Sequence, residues 1–104
     1  MKPLLVYIPI RNGTDAKKLA EHLLLQRLIS CANIIPKMIS MYWQDEDMKT
    51  ENETLLLVKT FEKKHKQLLQ EIKEQHPHEN PAITTIDIGA NKEYLAWSQK
   101  NIFT

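Results

Sequence analysis

Hydrophobic residues along the chain fall into alternating blocks of two periods. Leu4–Ile10 (LLVYIPI) is apolar throughout, the pattern of an interior strand with both faces covered. Arg11-Asn12-Gly13 is turn chemistry, with Asn12 or Thr14 available as helix cap and Asp15 suited to the first turn. Ala16, Leu19, Ala20, Leu23, Leu24 and Leu28 then recur at helical spacing, which predicts an amphipathic helix with one apolar stripe. The central stretch, Cys31–Thr60, reads as two strands, Ile34–Trp43 and Thr54–Val58, joined by a polar turn from Gln44 to Asn52. That turn contains no glycine, so a tight two-residue connection is not expected. Asn33 and Pro36 predict an irregular beginning to the first of these strands. Phe61, Lys64, His65, Leu68, Leu69 and Ile72 mark a second amphipathic helix that Pro77 stops. His76–Pro81 (HPHENP) is a rigid loop, Ala82–Ile88 a fourth strand, and Tyr94, Leu95 and Trp97 ride on a short last helix.

The order β-α-β-β-α-β plus a short C-terminal helix predicts an α+β, ferredoxin-like fold (the split βαβ motif). Right-handed crossovers put the first and third strands in the middle of an antiparallel sheet, with the two main helices on one face. The first and third strands are the two wholly apolar runs, so pattern and topology agree. The open face and the long edge strand would then expose apolar surface, which predicts an oligomer.

Composition narrows the classes. The 104 residues suit a single domain, 1–104. Lys and Arg number 14 against 13 Asp and Glu, a balance that argues for neither nucleic acid nor an anionic membrane as partner. No apolar run approaches the roughly 18–20 residues of a spanning helix. The basic-then-apolar start resembles a secretory signal, but its apolar part is short and contains Pro9, and no small-residue cleavage site follows. The single cysteine cannot form an internal disulfide, so a cytoplasmic location is expected.

Few residues carry obvious chemistry. Cys31 offers a thiolate suited to soft metals, or else packs as a small hydrophobe at a strand start. His76 and His78 are two apart with Glu79 beside them, and in extended chain such a pair points the same way and could grip a zinc or copper ion. Alternatively His76 caps the second helix, His78 is exposed and Glu79 caps loop donors. Lys59 faces a pocket anion or snorkels at a strand end. The pairs Tyr42/Trp43 and Tyr94/Trp97 suit core or interface packing. His22 and His65 have no assigned role. The acidic Asp45–Asp47 segment with Glu51 lacks a calcium-loop pattern and reads as a solvated tip. No nucleophile–base pair, glycine-rich phosphate loop or metalloprotease motif is present, so an enzyme is not expected.

RLISCANIIP (Arg27–Pro36), Met41-Tyr42-Trp43, LLLVKT (Leu55–Thr60), HPHENP (His76–Pro81) and Tyr94-Leu95-Ala96-Trp97, in this order and spacing, resemble the divalent-cation tolerance CutA family over nearly the whole chain. The resemblance implies a ferredoxin-like subunit in a tight homotrimer whose extended hairpins complete inter-subunit sheets. It implies tolerance to copper and other divalent metals without a required cofactor, with Cys31, His76 and Glu79 as metal ligands drawn from one or more subunits. Tyr42, Trp43, Tyr94 and Trp97 would lie at interfaces. A second implied reading is a PII-like regulatory trimer, in which Arg27, Lys59 and Glu79 hold a small anionic metabolite between subunits. The chain departs from the family pattern at Tyr7, Gln44, Glu46, His78 and Asn80, so the hairpin tip and the cleft need not copy it.

Overall fold

A computed structural model describes all residues, Met1–Thr104. The elements are β1 (Pro3–Ile10), α1 (Gly13–Leu25), β2 (Cys31–Gln44), β3 (Asp47–Phe61), α2 (Glu62–Gln75), β4 (Thr84–Asp87) and α3 (Lys92–Ile102). The four strands form one antiparallel sheet in the order β2-β3-β1-β4, with the two apolar runs central as the split βαβ topology requires.

Alternation along the central strands divides the sheet. Val6, Ile8 and Ile10 of β1 and Leu56 and Val58 of β3 are fully buried under α1 and α2. Ala16, Leu19, Ala20 and Leu23 of α1 and Leu68 and Ile72 of α2 close over them, which is the stripe their helical spacing dictates. The intervening residues, Leu5, Tyr7, Leu55 and Leu57, are only half-buried on the opposite face. Asn12 caps α1, its side chain accepting from the Asp15 amide at 2.8 Å. At the other end Arg27 takes a left-handed φ of 57° while the Leu28 amide donates to the Leu23 carbonyl and the Arg27 amide to Leu24. This is a Schellman closure with arginine where glycine is usual.

The hairpin differs from its sequence-based outline. β2 runs for 14 residues and β3 for 15, because the segment expected as a long polar turn is strand at Gln44 and again from Asp47 onward. Gln44 pairs with Asp47, leaving Asp45-Glu46 as a tight two-residue turn. Asp45 supplies the positive φ, 57°, that glycine was expected to provide. Short acidic side chains tolerate the left-handed region, so the missing glycine did not forbid the tight turn. The expected irregularity near Pro36 is a bulge: the register shifts between Ile35/Leu55 and Met38/Glu53, and Lys37 sits at φ 61°. The long strands stretch the molecule to 45 Å against 24 and 23 Å in the other directions. β4 is shorter than expected, Thr84–Asp87. α3 spans 11 residues and packs at the Lys59 end of the sheet.

Candidate functional site

Two places gather the residues singled out by sequence. The first is the Cys31 end of the sheet. Cys31 opens β2 directly opposite Lys59 of β3. Its free thiol is half-buried and donates weakly to the Asn33 Oδ1 at 3.9 Å. The Lys59 ammonium lies 4.9 Å from the centre of the Tyr94 ring, a cation–π arrangement. The Tyr94 hydroxyl is buried without a hydrogen-bond partner. Burial first, and then the neighbouring Cys31 thiol, push that hydroxyl up to about 12, so it stays protonated. Tyr94 packs on Trp97 at 5.6 Å, Ser98 Oγ donates to Ser30 Oγ at 2.5 Å, and Arg27 Nη1 donates to the Asn101 carbonyl at 2.9 Å. Lys59 and Arg27 thus both engage α3, and Glu79 belongs to the HPHENP loop. The anion-binding trio of the PII-like reading is not gathered within one chain.

The second place is a groove of about 730 Å³ between the outer half of the hairpin and the loop after α2, its walls including Tyr42, Trp43, Glu51, Glu53, His78 and Asn80. No lysine or arginine lines it. The Glu51 carboxylate raises the Tyr42 hydroxyl above its ordinary value of 10.0. His76 is 7% exposed at the loop's start. Its Nε2 lies 2.9 Å from the Pro9 carbonyl, and its Nδ1 accepts the His78 amide at 3.0 Å. A carbonyl can only accept and an amide N–H can only donate. The ring is therefore neutral with its proton on Nε2. Burial holds it below the ordinary 6.5, against an opposing pull from the Pro9 carbonyl. The His78 ring packs against it, centroids 4.8 Å apart and planes inclined by 55°. Glu79 is exposed.

The metal set expected from sequence is not assembled within one chain. Both His76 nitrogens are committed, which leaves no lone pair for a metal in this arrangement. Leu5 pairs with Lys59, opposite Cys31, whereas His76 bonds Pro9 four residues along β1. At strand rise that separates the two places by about 13 Å. No group of three or more His, Cys, Asp or Glu side chains is placed to hold an ion. The other two histidines bridge elements: His22 Nε2 meets Glu71 Oε1 at 2.5 Å, linking α1 to α2, and His65 Nε2 meets Thr85 Oγ1 at 2.7 Å, linking α2 to β4. Of the expected interface aromatics, Tyr42, Trp43 and Trp97 are exposed, while Tyr94 is half-buried under Lys59. Glu53 went unremarked in the sequence. The alternation of Ser40, Tyr42 and Gln44 on β2 and of Lys49, Glu51 and Glu53 on β3, with Ser40 opposite Glu51 and Met38 opposite Glu53, was the available signal.

A sequence profile of the CutA1 divalent ion tolerance protein family matches residues 4–101. The chain belongs to that family. The divalent-cation tolerance protein CutA of Thermus thermophilus is 37% identical over 98 residues, covering 92% of this chain and 94% of that protein. The chloroplastic protein CutA 1 of rice, Oryza sativa subsp. japonica, is 33% identical over 95 residues, covering 90% of this chain. The chain spans about half, 54%, of that relative's length. Among solved structures, CutA1 from Ehrlichia chaffeensis superposes with a TM-score of 0.94 at 29% identity, covering 100% of this chain and 99% of the other. The ferredoxin-like α+β architecture is that of these CutA1 structures.

Proposed function

We propose that this CutA1-family chain acts in tolerance to divalent cations, as a cytoplasmic homotrimer that takes up copper through Cys31. The family match over residues 4–101 carries the tolerance reading. Support for copper lies in the thiol: Cys31 is the one soft anionic donor in the sequence, and thiolates favour Cu(I) over hard cations. A lone thiol makes a weak site, so full affinity would draw on donors from neighbouring subunits. A single free cysteine also fits a reducing compartment.

The test is calorimetric titration of Cu(I), under reducing conditions, into the wild type and Cys31→Ala. Loss of a direct ligand should weaken binding by at least about tenfold, the lower end for disturbed metal sites. Equal affinity in the two proteins would remove Cys31 from the site.

A further inference from the structure

The loop that forms one wall of the groove is fastened by a single imidazole. We infer that His76 is a pH-sensitive latch: neutral, it ties the start of the HPHENP loop to β1, and protonated, it lets go, freeing the wall that carries His78 and Asn80. The geometry leaves no second protonation state for the closed loop. Nε2–H donates to Pro9 of β1, and Nδ1 must offer a lone pair to the His78 amide. A proton on Nδ1 would set two donors face to face and leave the His78 amide without its acceptor.

The groups around the ring fix the sign. β1 contributes only the Pro9 carbonyl. From the loop itself, the His78 imidazole packs tilted against the ring, and a charge on it opposes a second positive one. Glu53 of β3 and Asp15 of α1 pull the other way, but Asp15 is already paired with Arg11. Burial outweighs them and keeps the ring neutral. The closed loop therefore binds this proton less readily than the open loop, in which the ring is solvated. Closure is complete above the ordinary imidazole value of 6.5 and is lost progressively as pH falls below it. The two clusters are distinct in chemistry and place, so this device does not depend on Cys31.

Hydrogen exchange at assigned amides of the wild type, between pH 7.5 and 5, tests it together with ¹⁵N shifts of the histidine rings. The His76 ring should show the Nε2–H form at pH 7.5. After correction for intrinsic exchange, the His78 amide should lose protection on acidification, roughly tenfold for each unit by which closure lowers the His76 titration. Amides of α1 and α2 should keep theirs. In His76→Gln, which can donate and accept but does not titrate in this range, the protection of that amide should no longer depend on pH. An Nδ1–H tautomer, a His78 amide equally protected at both pH values, or parallel loss of protection in α1 and α2 would overturn the inference.

Discussion

Three residues hold left-handed backbone without being glycine: Arg27, Lys37 and Asp45. Each sits where the chain must turn sharply, at a helix end, a bulge and a hairpin tip, yet only Arg27 and Asp45 have an evident compensation. Arg27 gains the bond to Asn101 in α3, and Asp45 is of a type that tolerates the region. Lys37 is exposed and its side chain makes no hydrogen bond or ion pair in the structure, so its Cβ strain is uncompensated. Replacing it with glycine removes that strain, and chemical denaturation of Lys37→Gly should show a gain of about 1 kcal/mol. A loss of stability would mean that the lysine side chain contributes more than its backbone costs. The histidines show how far single residues could be read beforehand. The spacing of His76 and His78 was visible, and so was their chemistry. The sequence did not say that the Pro9 carbonyl, one residue before the end of β1, would lie against His76, and that long-range contact occupies the nitrogen a ligand would need.

The elements were the most legible level, because each owes its existence to a local period. The stripe from Ala16 to Leu23 and the run Leu55–Val58 lie where their patterns put them, and the two apolar strands are central. What escaped was the hairpin's extent. Asp47–Asn52 is exposed and, Met48 apart, polar, so burial pattern could not announce strand there; the pairing with Ile39–Gln44 across a two-residue turn made it one. The central strand also concentrates the packing. Leu56 is fully buried beneath the helices and has Ile8 on one side and Ile34 on the other. Leu56→Ala would empty a space bounded by two strands and the helical layer, which cannot collapse freely. Its cost should be about 2–5 kcal/mol in equilibrium unfolding. Leu55→Ala, the neighbour on the half-covered face, should cost less in the isolated subunit. If the two losses matched, the sheet would be covered equally on both sides.

At the scale of the whole molecule the outer half of the hairpin has no reason to persist alone. Ile39, Met41 and Trp43 share one face of β2, and Met48 stands opposite Trp43 on β3. They are 66%, 65%, 70% and 62% exposed, four large apolar side chains side by side on a projecting two-stranded ribbon. No helix of the same chain reaches them, and two strands without a covered face are marginal in water. Such a patch is the kind that association covers. Covering it with a second and third copy would stabilise the ribbon and the assembly together. If the copies assemble as the proposed homotrimer, size-exclusion chromatography with light scattering should give three times the 12.2 kDa chain mass for the wild type. Ile39→Lys with Trp43→Lys places two charges in the patch without touching the core under α1 and α2. That variant should run at the mass of one chain, keep its far-ultraviolet circular dichroism, and melt at a lower, concentration-independent temperature. A wild type at chain mass would remove the trimer. A variant that still assembled would move the contact away from this face, to the half-covered sheet surface of Leu5, Tyr7, Leu55 and Leu57.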